Sequence, residues 1–144
     1  MRIREVLAGK PSSSVVTVPP GASVRELVAL LAEHNVGALV VSAGGGAVDG
    51  IVSERDVVRR LHEQSAELLD GTVESIMTSE VHTCSPDDTL DALMSAMTER
   101  RIRHVPVVED GRLVGIVSIG DVVKRKIDAL QFERDQLDSY VHQV

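Results

Sequence analysis

Aromatic residues are nearly missing from this chain, which has one Phe, one Tyr and no Trp in 144 residues. Its core must therefore be packed from Val, Leu, Ile, Ala and Met, and a hydrophobic content of 43% supplies enough of them. The single cysteine, Cys84, excludes an intramolecular disulfide. No apolar run approaches the ~18 residues needed to span a bilayer. The opening Met1-Arg2-Ile3-Arg4-Glu5 lacks the apolar stretch of a signal peptide. Positive charge is also scarce, and a net charge of −7 disfavours nucleic acid and anionic lipid as partners. The expectation is a cytoplasmic, soluble protein made of one compact unit or two intimate halves.

What the chain does contain is one phrase written twice. Gly50-Ile51-Val52-Ser53-Glu54-Arg55-Asp56-Val57-Val58 returns as Gly115-Ile116-Val117-Ser118-Ile119-Gly120-Asp121-Val122-Val123, with seven of nine positions identical. A short apolar run ends in Ser, and Asp follows three residues later. Such a strand-to-helix corner exposes backbone N–H groups and can hold a phosphate or a sugar hydroxyl. The repeat extends further: an offset of 66 aligns Thr17 with Thr83, Pro20 with Pro86, Leu27 with Leu93 and Val41 with Val107.

Each copy reads strand, helix, strand, strand, helix. Ser14–Val18 is β-branched, and Pro19-Pro20-Gly21 ends it. Ser23 and Glu26 form a capping-box signal before the stripe Val24, Leu27, Val28 and Leu31. Ala38–Ser42 and Val48–Ser53 read as strands around Gly44-Gly45-Gly46, and Glu54–Glu63 as a helix. In the second copy Val81–Cys84 reads as a strand, and Thr89 caps a helix striped by Leu90, Leu93, Met94 and Met97. Val105–Val108 and Leu113–Ser118 flank the hairpin signal Asp110-Gly111, and a last helix begins near Gly120. Between the copies, Val73–Met77 reads as a short connecting helix. The pattern predicts a mixed α/β fold of two β-α-β-β-α repeats, at residues 1–70 and 71–130, packed about a pseudo-twofold axis. Residues 131–144 form a helical extension. Its heptad-like stripe Val123, Ile127, Leu130, Leu137, Val141 and Val144, broken by Arg134, predicts an intersubunit contact and hence a homodimer.

The repeated order, each copy closing in Gly-hydrophobic-hydrophobic-Ser-x-x-Asp, resembles a tandem pair of CBS domains, the unit called a Bateman module. The resemblance covers roughly residues 6–130. It implies a flat disc with two clefts, where many members bind adenosine nucleotides and regulate a partner enzyme, transporter or channel. It makes Asp56 and Asp121 the ribose-binding carboxylates, and Ser53 and Ser118 contacts to phosphate or ribose. Val16 and His82 match positions whose backbone reads the adenine edge, and Thr78 matches a Thr at the cleft mouth. Arg103 and His104 match a basic pair that reaches phosphates across the repeat interface, with Pro106 beside them. The matching positions in the first repeat are Gly37 and Ala38, so Ala38 joins the expected contacts but the phosphate clamp is one-sided.

Other readings compete. Ser-x-x-Asp suits a helix cap for backbone reasons alone. Arg100 and Arg101 suit a solvated helix end. Gly44-Gly45-Gly46 lacks the Lys-Ser/Thr of a phosphate-binding loop, and His82 with Cys84 lacks a second pair to complete a metal set. No nucleophile–base arrangement is visible, so a non-enzymatic regulator is expected. Its ligand would be AMP, ADP or ATP ahead of S-adenosylmethionine, and the regulated protein is not legible. The alternative is an interaction protein of the same fold whose clefts bind nothing.

Overall fold

The computed structural model describes residues 1–10 and 15–142. Ser14 of the expected first strand and Val144 of the helical stripe lie outside them. The elements run α1 (Ile3–Ala8), β1 (Thr17–Val18), α2 (Val24–His34), β2 (Ala38–Val41), β3 (Gly50–Ser53), α3 (Glu54–Gln64), α4 (Leu90–Arg100), β4 (His104–Glu109), β5 (Arg112–Ser118) and α5 (Ile119–His142). Two 3-10 turns, Ser65–Asp70 and Val73–Ser75, join the halves. β1 pairs in parallel with β2, which pairs antiparallel with β3; β4 and β5 form an antiparallel ribbon. The mixed α/β repeat architecture read from the sequence is the architecture observed.

Local chemistry accounts for most element ends. Ser23 and Thr89 cap α2 and α4 by accepting from the N–H groups of Glu26 and Ala92, both at 3.1 Å. The return arm expected from Glu26 is not among the hydrogen bonds seen; Ser23 instead forms a bridge with Thr72. α2 and α4 both end in a left-handed residue, Asn35 and Arg101. Asp110 and Gly111 take φ of +53° and +76°, the turn that a two-residue hairpin requires.

Each half has its own aliphatic core. Val18, Leu27, Leu39, Val41 and Val52 are buried in the first, and Leu93, Met97, Val105, Val107 and Val117 in the second. The segments leading into each half cross over. Ile3 and Val6 of α1 are buried in the second core, while Val73 and Ile76 are buried in the first. The exchange is symmetric to the hydrogen bond: Leu90 N donates to Met1 O and Val24 N to Gly71 O, both at 2.9 Å. It also explains the glycine that opens each repeated phrase. A Cβ on Gly50 would lie 2.6 Å from Met77 Sδ, and one on Gly115 would lie 2.6 Å from Leu7 Cδ2.

Two sequence expectations change. Val81–Cys84 is not a strand: only Cys84 bridges β4, with Cys84 N on Pro106 O at 3.0 Å and Val108 N on Cys84 O at 2.8 Å. Val81 and His82 turn into a cleft instead of pairing. Of the connection Val73–Met77 only Val73–Ser75 is helical, as a 3-10 turn, and its counterpart α1 has no equivalent among the elements read from the sequence. Both are held by burial in the opposite half, a tertiary cause that leaves little local pattern. In α2, Val28 is exposed although its stripe partners are buried.

Candidate functional site

Both Ser-x-x-Asp corners begin a helix and both are capped. Ser53 N donates to Asp56 Oδ2 at 2.8 Å, and Asp56 N donates to Ser53 Oγ at 3.3 Å. Ser118 N donates to Asp121 Oδ2 at 2.9 Å, and Asp121 N to Ser118 Oγ at 3.1 Å. The reciprocal cap is thus the shared structural role of the repeated phrase. It engages one oxygen of each carboxylate and leaves the second as a possible acceptor.

The surroundings of the two corners differ. Beside Asp56 lies a cavity of about 620 Å³, within the range of small-molecule sites. Its wall combines Ser53 and Asp56 with Thr78 and His82 from the crossing segment, and Ala38, Arg103 and His104 from the facing strands. Seven of the eleven residues expected at the clefts therefore surround one space. The other four do not. Val16 packs against the first core, and Pro106 is buried in β4, paired with Ile116. Ser118 is partly buried away from the large cavity, and Asp121 borders a separate space of about 150 Å³.

Sequence reasoning missed most of the charge in the larger cavity. Arg55, Arg59 and Arg101 line it together with Arg103, alongside the carboxylates of Glu54, Asp56 and Glu80. Among the described residues none of these four arginines is in an ion pair, although six other arginines are partnered in that way or held on a backbone oxygen. Arg101 reaches the rim because the left-handed cap of α4 turns the chain there. Glu54-Arg55 are the two positions at which the repeated phrase differs from its copy, Ile119-Gly120. That mismatch was the available signal for an asymmetric site.

His104 sits at the seam of the two corners. Burial lowers its pKa below the usual 6.5, only partly offset by the charges of Asp121 and Glu54, with Lys10 and Arg103 lowering it further. It is a neutral imidazole at pH 7, so the cation of the expected basic pair is Arg103 alone. Burial pushes the Asp121 carboxyl up, but the Ser118 N–H, Ser118 hydroxyl and Lys10 ammonium together outweigh it and hold the pKa below 3.8. Cys84 is buried and its thiol is pushed up to about 12, which makes it an inert core residue.

These features define a twofold-repeat protein whose halves exchange lead-in segments around a cleft of ligand size. The CBS domain family model matches residues 3–63 and again 73–128. The chain belongs to the CBS-domain family, as a tandem pair. A CBS-domain containing protein from Agrobacterium tumefaciens superposes with a TM-score of 0.83 at 44% identity, covering 88% of this chain and 99% of that one. A mitochondrial CBS domain-containing protein of Arabidopsis thaliana is 38% identical over 83% of this chain and 60% of its own length. The CBS domain pair of protein MJ0100, in complex with 5′-methylthioadenosine and S-adenosyl-L-methionine, has a TM-score of 0.76 at 29% identity, covering 86% of this chain and 98% of that one. Among the described residues no helix is long and apolar enough to cross a membrane.

Proposed function

We propose that this CBS pair is a cytoplasmic regulatory module that binds AMP, ADP or ATP in the cleft beside Asp56 and passes the change to a partner protein. The observation that carries the reading is the gathering around the Ser53–Asp56 corner of four arginines that have no ion-pair partner among the described residues, in an acidic chain. The free oxygen of Asp56 accepts ribose hydroxyls, as a carboxylate acceptor suits paired donors. Thr78 and the His82 segment border the base. The start of α3, with Arg55 and Arg59 on its first turns and Arg101 and Arg103 opposite, receives the phosphates. Adenosine ligands bound by the MJ0100 pair support the class. The sulfonium charge of S-adenosylmethionine suits four arginines poorly, which ranks it behind the phosphates. The likeness to CBS domain-containing proteins supports a regulator over an enzyme.

Two copies associate in this reading. Val58 and Leu61 on α3, and Val123, Ile127 and Leu130 on α5, are apolar and exposed, and a second chain covers them. The alternative, an interaction protein with empty clefts, draws on the caps, because each Ser-x-x-Asp corner already serves as a helix cap. Calorimetry against AMP, ADP, ATP and S-adenosylmethionine separates the two. Saturable binding that strengthens with phosphate number and weakens with added salt is expected. Absence of heat with every adenosine ligand at millimolar concentration leaves the interaction protein standing.

A further inference from the structure

The crossing segments that lead into the two halves are equivalent, yet they meet the corners with opposite charge. The paired bonds of Leu90 N to Met1 O and Val24 N to Gly71 O set the equivalence, with Met1 matching Gly71. Counting on from there, Leu7 matches Met77, as their packing on Gly115 and Gly50 bears out, and Lys10 matches Glu80. Beside the first corner, Thr78 N donates to Ile51 O at 2.9 Å, a backbone bridge, and Glu80 lines the cleft. Beside the second, the carbonyl equivalent to that of Ile51 is filled by a side chain: Lys10 Nζ donates to Ile116 O at 2.8 Å and to Asp121 Oδ2 at 2.9 Å. Lys10 and Asp121 are each about three-quarters shielded, with side-chain exposures of 28% and 27%. The space that Lys10 and Asp121 border together, with Gly9, Lys124, Arg125 and Asp128, is about 150 Å³, below the roughly 300 Å³ at which small-molecule pockets begin.

We infer that Lys10 is a resident ligand of the second corner: its ammonium, on the cap oxygen of Asp121 and the carbonyl of Ile116, cancels the carboxylate's charge and crowds the approach a ribose would need, so the module takes one nucleotide per chain. The inference rests on the nucleotide reading above and adds to it the stoichiometry and the residue that sets it. The duplicated corner is a latent second site. It opens only when the Lys10 arm is displaced, and a partner or modification that removes the ammonium charge would open it.

Lys10→Met keeps most of the apolar stem and removes the charge; Lys10→Gln serves as a second variant should the first fold poorly, as judged by circular dichroism. Calorimetric titration with ADP is expected to give one site per chain in the wild type and two in either variant. In the Asp56→Ala background, whose first cleft binds more weakly, Lys10→Met is expected to add one tighter site, which Asp121→Ala then weakens. Two sites in the wild type, or one site in the wild type and both Lys10 variants, overturns the inference and leaves the first-cleft reading intact. No site in any of them overturns the nucleotide reading, and this inference falls with it.

Discussion

The same phrase builds two corners whose backbones match and whose neighbourhoods do not. At the first, Asp56 faces a cleft lined by four arginines. At the second, Asp121 faces Lys10 across 2.9 Å. The helices that follow differ too: α3 stops at Gln64, while α5 runs on to His142 with every residue from 131 to 142 exposed. Duplication fixed the cap, the opening glycine and the crossing of the lead-in segments, because each is needed to close a core. It left free the residues that point at a ligand or a second chain, and there the halves diverged. A repeated motif therefore marks where sites can form; the flanking charges mark where one does.

The largest expected effect concerns the helices. A chain ending at Ala129 deletes Leu130, Leu137 and Val141 and has no tail beyond the length of α3. The chain's two aromatics, Phe132 and Tyr140, go with it, and they are 64% and 70% exposed. Even partial burial of those side chains in a dimer contributes on the order of 3 kcal/mol, about a hundredfold in the dissociation constant. Sedimentation equilibrium is expected to show a dimer for the full chain and weakened association for the shorter one. An unchanged dimer would take the tail out of the interface, and a monomeric full-length chain would remove the dimer itself.

Next in size is the contrast between the carboxylates. Asp56→Ala is expected to weaken ADP binding by about 2 kcal/mol, roughly thirtyfold, through loss of charge-assisted hydrogen bonds. Asp121→Ala should leave that affinity unchanged, because its carboxylate is engaged by Lys10. Both variants lose one arm of a cap, about 1 kcal/mol of stability, and Asp121→Ala loses the Lys10 pair besides, so its melting temperature should fall further. Equal effects on binding, measured by calorimetry, would erase the distinction between the corners.

Much of this was readable from the chain. The 3.6-residue stripes located α2 and α4, the hairpin signals located the strand pairs, and the repeat itself located both corners. What escaped was fixed by distant contacts. α1 is six residues long and is held by Ile3 and Val6 in the other half's core, so no local periodicity announces it. Val81–Cys84 looks like a strand by composition, but only Cys84 finds a backbone partner in β4. The arginines of the cleft come from the start of α3, the end of α4 and the edge of β4, and a chain read in order cannot bring those together. Lys10 was invisible as a site residue for the same reason: 111 positions separate it from Asp121.

The smallest expected effect tests the seam between the corners. His104 is neutral when folded because burial lowers its pKa below 6.5, so below that pH the unfolded chain binds the proton more readily. The stability it contributes is fully present above pH 6.5 and is lost as pH falls through its folded value. Asp121 acts in the same direction but lower. Its folded pKa lies below 3.8, so its contribution is present above 3.8 and is lost as pH falls through that folded value. The melting temperature is therefore expected to fall in two steps on acidification, the first removed by His104→Asn and the second by Asp121→Asn. A phosphate chain in the cleft reverses the balance at the first step, because added negative charge favours the imidazolium. Nucleotide binding near pH 6 should take up a proton, seen as a dependence of calorimetric heat on buffer ionisation enthalpy. His104→Asn should abolish that dependence. Heat independent of buffer in the wild type would place the phosphates away from His104 and return the seam to a purely structural role.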